Sequence, residues 1–154
     1  LYGVTPDITT MAKALGGGLP VGAIIAGERA SDVLEPGDHG STFAGGPIQA
    51  SAALAALDVL SDEALLASVR ELGERLMGGL REIDGIVDVR GRGLMVGVSL
   101  AEGIDAAAVR DRCLEAGLVL NCPGPGMLRL LPPLIIEAAD VDRALEIIAA
   151  SVRG

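Results

Sequence analysis

An α/β chain is the fold class this sequence predicts, and three observations carry the prediction. Apolar residues recur every three or four positions from Leu65 to Ile83, which is the spacing of one helical stripe. The period then drops to two along Leu94, Val96, Val98 and Leu100, as in a strand with one buried face. From residue 62 onwards the patterns read helix, two strands, helix, two strands, helix. That order predicts a two-layer α/β unit with a mostly antiparallel sheet.

The elements follow in chain order. Residues 1–7 are turn-rich, with Gly3 and Pro6, and residues 8–15 show no clear period. Gly16-Gly17-Gly18 suits neither a helix interior nor a strand. Residues 21–26, short and rich in β-branched side chains, predict a buried strand. Residues 37–46 form a polar, glycine-rich loop, and Pro47 is placed to open an alanine-rich helix to about Leu60. Ser61 is the expected cap of the next helix. That helix carries the apolar stripe through Ile83 and stops at Asp84-Gly85, where a left-handed cap is expected.

Residues 86–89 predict a strand, Gly91 and Gly93 interrupt, and the period-two strand follows. A helix over 105–116 is expected, capped by Asp105 and stopped by Gly117. Residues 118–120 and 128–131 predict two strands on either side of a turn at 123–126. The last helix should begin near Asp140, with acidic residues where the helix dipole favours them, and bury Val141, Leu145, Ile148 and Val152. Residues 1–61 differ from the rest. They offer loops, one clear strand, one helix and many glycines, too little to bury their own apolar side chains. The domain boundary is therefore expected between 61 and 62.

Composition narrows the function. The chain has 154 residues, enough for one core or for a small domain plus part of another. A formal charge of −9 argues against nucleic acid or an anionic membrane, both of which need a basic face. No apolar run approaches the roughly 20 residues of a membrane span, and no basic leader precedes an apolar stretch. The start at Leu1, within an ordinary turn, reads as that of a fragment. Cys113 and Cys122 read as reduced thiols of a cytoplasmic protein. With no CxxC pair and only His39 as an imidazole, no metal site is expected. None of these three residues is given a catalytic role.

Of the 12 basic residues, a single one, Lys13, is lysine. Arginine cannot form a Schiff base and lysine can, so a solitary lysine is a candidate for chemistry that needs an amine. Such an amine must be partly desolvated to stay unprotonated. The adjacent glycines would leave room for a planar group. Residues 39–47, His-Gly-Ser-Thr-Phe-Ala-Gly-Gly-Pro, place hydroxyls before a helix start, a plausible phosphate cradle.

Four segments resemble the class III (subgroup II) pyridoxal-phosphate aminotransferases. Residues 5–23, TPDITTMAKALGGGLPVGA, look like the family's cofactor-lysine segment, in which the lysine follows a strand and precedes glycines, a proline and a glycine-alanine strand. Residues 39–47 resemble the family loop HGSTFGGNP, with Gly46 where asparagine is usual. Residues 89–97, VRGRGLMVG, resemble its RGxGLxxG hairpin, with Arg90 and Arg92 read as structural. Residues 127–134, MLRLLPPL, resemble the strand whose arginine grips the substrate α-carboxylate through two parallel hydrogen bonds.

The resemblance implies that Lys13 carries pyridoxal 5′-phosphate and is the catalytic residue. It also implies that Thr42, with Ser41, binds the cofactor phosphate of the neighbouring subunit in a homodimer, and that Arg129 binds substrate. The fold it implies is part of the pyridoxal-phosphate transferase large domain over 1–61, followed by a C-terminal two-layer α/β small domain over 62–154. The motif spelling is most similar to the acetylornithine type, which implies amino transfer between N-acetylornithine and 2-oxoglutarate in arginine biosynthesis. Ornithine, 4-aminobutyrate and succinylornithine remain alternative donors, and a non-catalytic α/β interaction domain is the alternative outside enzymes. The family's phosphate loop, ring-stacking aromatic residue and pyridine-nitrogen aspartate lie upstream of this match, so the fragment alone is expected to be inactive.

Overall fold

The computed structural model describes residues 3–154, and they divide into two compact units, Leu1–Asp62 and Glu63–Gly154. In the first unit β1 (Ile8–Met11) pairs antiparallel with β2 (Ala23–Ala26), Ile8 opposite Ala26 and Met11 opposite Ala23. The ends of this ribbon are fastened twice. The Gly27 N–H donates to the Asp7 carbonyl at 2.7 Å, and Arg29 pairs with the Asp7 carboxylate at 3.2 Å. A single 3-10 turn, Lys13–Gly16, opens the loop between the strands. Helix α1 (Pro47–Leu60) packs against that turn.

Two readings of this unit need correction. β1 lies where no period was evident, because Ile-Thr-Thr-Met carries no apolar alternation. β2 is a strand, but not a buried one: Ile24 and Ile25 are exposed. Two strands of four residues supply no second layer to cover them. α1 likewise has no buried residue.

The second unit is built on α2 (Glu63–Arg81), β3 (Ile86–Arg92), β4 (Met95–Leu100), α3 (Ala106–Glu115), β5 (Asn121–Gly124), β6 (Met127–Leu130) and α4 (Ala138–Arg153). Its four strands lie in the order β3-β4-β6-β5, every pair antiparallel. The stripe on α2 buries Leu72, Leu76 and Leu80, and Ile83 follows in the turn beyond the helix. These residues meet Val96, Val98 and Leu100 of β4, Leu128 and Leu130 of β6, and Val141, Ile148 and Val152 of α4 in one apolar core. Helix α2 lies over β3 and β4, α3 over β5 and β6, and α4 packs on both helices. The other face of the sheet carries Arg90, Met95, Gly97, Ser99 and Arg129, none of them buried.

The helix ends follow local chemistry. The Asp105 carboxylate accepts from the Ala107 N–H at 2.9 Å, and Gly85 takes φ +95° after α2. α4 starts earlier than expected, at Ala138, because Glu137 and Asp140 form a reciprocal capping box. Ser61 does not open α2. It closes α1, its N–H donating to the Leu57 carbonyl at 2.9 Å.

The strand expected over 118–120 lies instead at Asn121–Gly124. The Leu118 N–H donates to the Cys113 carbonyl at 2.8 Å, and the Gly117 N–H to the Leu114 carbonyl at 3.0 Å. This pair of bonds closes α3 and commits the backbone that the strand would have used.

Candidate active site

Lys13 sits at the head of the loop that the β1–β2 ribbon holds shut. Met11 is the last paired residue of β1, Ala12 is extended, and Lys13 then turns to φ +56°. It is the one non-glycine residue with positive φ among the described residues. For an L-residue this conformation costs about 1–2 kcal/mol, and such strain gathers at functional positions. Leu15, buried, anchors the turn, while the Lys13 side chain is exposed. The partly desolvated setting expected for this amine is therefore not formed by the residues of the first unit.

The glycine triplet has backbone reasons of its own. Gly17 and Gly18 take φ +58° and +111°, and a Cβ on Gly16 would come within 2.5 Å of Val21. These glycines shape the turn. They are not in themselves a sign of a planar ligand.

Ser41 and Thr42 lie in the exposed loop before α1. The Ser41 hydroxyl accepts from the Ala44 N–H at 3.2 Å and keeps its own hydrogen to donate. The loop leads to Gly46 at the N-cap and Pro47 in the first turn, and no side chain caps that end. Glycine at position 46 has no side chain with which to cap it, and a Cβ there would come within 2.4 Å of the Gln49 Oε1. An uncapped helix start beside two hydroxyls can accept an oxyanion such as a phosphate group. An exposed primary amine and exposed hydroxyls before a helix start are groups able to meet an aldehyde and a phosphate, a part of what would hold pyridoxal phosphate.

Arg129 belongs to the second unit, at the centre of β6 on the open face of the sheet. Gly97 of β4 stands opposite it on one side and Asn121 of β5 on the other. Arg90 lies one strand further, opposite Gly97. The two arginines differ. Arg90 donates to the Asp88 carboxylate and to the Ser99 hydroxyl at 3.0 Å, the structural role expected of it. Arg129 makes no ion pair among the described residues, so its guanidinium is available to an external carboxylate. Cys113 is fully buried in α3 and burial pushes its thiol up, while Cys122 donates to the Gly124 carbonyl at 3.4 Å.

Two features of the site were not readable in advance: the left-handed backbone of Lys13, and the pairing that sets Gly97 and Asn121 beside Arg129. No propensity marks a lysine for positive φ, and pairing is a property of strands brought together from across the sequence.

Comparison with known proteins places the chain among relatives. The family model described as aminotransferase class-III matches residues 1–152. The acetylornithine aminotransferase of Methanothermobacter thermautotrophicus is 43% identical over 96% of this chain and 38% of its own length. That of Bifidobacterium longum is 48% identical over 95% of this chain and 34% of its own. Among solved structures, an ornithine aminotransferase from Toxoplasma gondii, described with partial occupancy of PLP at its active site, superposes with a TM-score of 0.88 at 34% identity. It covers 98% of this chain and 37% of its own. The chain thus spans a little over a third of the length of these relatives.

Proposed function

The chain belongs to the class-III aminotransferase family, and from that premise we propose that it is the C-terminal part of a pyridoxal-phosphate transaminase of the acetylornithine type. Residues 1–61 are then the end of the large, cofactor-binding domain, and 62–154 the small domain. The observation that carries the reading is Lys13: the chain's single lysine, held in a left-handed conformation at the head of a fastened loop. The curated relatives matched at 43% and 48% identity are named acetylornithine aminotransferases, which supports N-acetylornithine as amino donor. 2-Oxoglutarate is the acceptor.

The cofactor, when bound, would supply an electron sink that makes a hydrogen on the amine-bearing carbon of the substrate removable. Lys13 Nζ would hold the cofactor, and as a base would take up the proton from the amine-bearing carbon of the substrate. Arg129 would grip a substrate carboxylate with two parallel hydrogen bonds. The Thr42 hydroxyl, with that of Ser41 and the start of α1, binds the phosphate across a homodimer, reaching the neighbouring subunit's cofactor. A cytoplasmic setting suits the two free cysteines. No helix among the described residues is long and apolar enough to cross a membrane.

Amino transfer to 2-oxoglutarate by the full-length protein tests the reading, with N-acetylornithine, ornithine, N-succinylornithine and 4-aminobutyrate compared as donors. N-acetylornithine should give the highest kcat/KM, and the 154-residue chain alone should give no turnover. A preference for another donor would move the assignment within the family. No transfer from any of them would favour a non-catalytic domain.

A further inference from the structure

Gly97 occupies a position for which the fold gives no reason to use glycine. Glycine in a strand interior is unfavourable, and where it occurs it marks a bulge, a bend or the close approach of something to the backbone. Four other glycines of the second unit are explained by sterics or by backbone conformation, whereas Gly78 and Gly124 lie where a Cβ would meet nothing within 4 Å. A Cβ on Gly91 would come within 2.3 Å of the Met95 carbonyl, and one on Gly73 within 2.3 Å of the Gly93 carbonyl. Gly93 and Gly85 take positive φ. Gly97 does neither. Its backbone is not left-handed, its pairing with Arg90 and Arg129 is unbroken, and a Cβ there would touch nothing nearer than Arg90 at 3.8 Å.

The neighbours of the gap bear charge. Directly across one strand pair is Arg129, free of any acid among the described residues, and across the other is Arg90, whose guanidinium is drawn aside to Asp88 and Ser99. Side chains directly opposite each other in a sheet have Cβ atoms about 5 Å apart. A side chain at 97 would therefore stand in the space a ligand must cross to lie flat beside the Arg129 guanidinium.

We infer that Gly97 is a clearance residue: its missing side chain leaves the sheet face open beside Arg129, so that a substrate carboxylate and the carbon bearing it can rest against β4. The inference rests on the carboxylate-binding role proposed for Arg129. It adds a specificity-determining position that acts by space and not by contact chemistry. The ligand class is an α-amino or 2-oxo acid, whose planar carboxylate meets the guanidinium edge-on.

The test uses the full-length protein and three variants: Gly97→Val, Gly97→Ala and Arg129→Gln. KM for glutamate, Ki for the unreactive dicarboxylate glutarate, and Tm are measured on each. Gly97→Val should raise KM and Ki about tenfold or more with a smaller change in kcat, since it removes ground-state and transition-state binding alike. Gly97→Ala should raise them about twofold to threefold on the same basis. Tm should hold or rise in Gly97→Val, because valine suits a strand. Unchanged KM and Ki in Gly97→Val, with Arg129→Gln impaired, would overturn the inference and leave the role of Arg129 standing. Unchanged values in Arg129→Gln would overturn both. A fall in Tm in both glycine variants would also overturn the inference, because it would mean that another stretch of polypeptide packs on Gly97.

Discussion

The two units of this chain solve the problem of burial to very different degrees. Residues 63–154 close a core of their own, with Leu80, Val96, Val98, Val109, Leu128 and Ile148 wholly removed from solvent. Residues 3–62 bury one large apolar side chain, Leu15, and leave Ile24, Ile25, Val33, Leu34, Phe43 and Ile48 exposed. The first unit nevertheless holds the lysine and the hydroxyls proposed for the cofactor, while the second holds the arginine proposed for the substrate carboxylate. The unit proposed to hold the cofactor is thus the one less able to stabilise itself. Its apolar surface calls for cover from polypeptide that the much longer relatives possess. We take this as the physical reason for expecting the 154-residue chain to be inactive alone.

The comparison can be broken most forcefully by cutting into each unit. Leu80→Ala should cost about 3 kcal/mol in the cooperative unfolding of the second unit, as expected of a fully buried leucine. Ile25→Ala in the 154-residue chain should change stability by no more than about 0.5 kcal/mol. The same Ile25→Ala in the full-length protein should become several times more costly as the cover arrives. Denaturant titration reads all three. Equal costs for Ile25→Ala in both lengths would show that the exposed ribbon stays exposed.

A finer contrast lies within α2. Gly73→Ala drives a methyl group into the backbone of the β3–β4 turn and should destabilise by about 1–3 kcal/mol. Gly78→Ala, five residues on in the same helix, meets nothing within 4 Å. It should stabilise by about 0.5–1 kcal/mol through helix propensity alone. Thermal unfolding of the two variants distinguishes a helix packed on one side from one packed all round.

The smallest effect is electrostatic. Arg75 of α2 donates twice to the Asp142 carboxylate of α4, each bond 2.7 Å long. Those hydrogen bonds hold the Asp142 carboxyl below the usual range. A carboxylate with a lowered folded value stabilises the native state above the unfolded value, about 3.9 for aspartate. That contribution is lost as pH falls through the folded value. Asp142→Asn should therefore leave a shallower loss of stability below about pH 4, measured by urea titration across the acid range.

Legibility in the sequence followed the range of the interaction. The stripe on α2, the Asp105 cap, the left-handed Gly85 and Pro47 at the start of α1 rest on contacts within one or two turns, and all could be read directly. β5 could not, because the Leu118 N–H is claimed by the end of α3, a competition between two local structures that apolar spacing does not reveal. β1 was visible only through the family resemblance, since Ile-Thr-Thr-Met has no period. For the site, Lys13 stood out by chemistry and by motif, and Arg129 by motif. The clearance at Gly97 needs the strand register, which the sequence of one strand does not contain.

The central claim is that Lys13 is the amine that carries the cofactor. It is tested most directly by incubating the full-length protein with pyridoxal phosphate, reducing with borohydride, and locating the added mass by peptide sequencing. The account predicts one stoichiometric pyridoxyl group, on Lys13, with loss of the visible absorbance in Lys13→Ala. Labelling of a different lysine, with Lys13 unmodified, would contradict it.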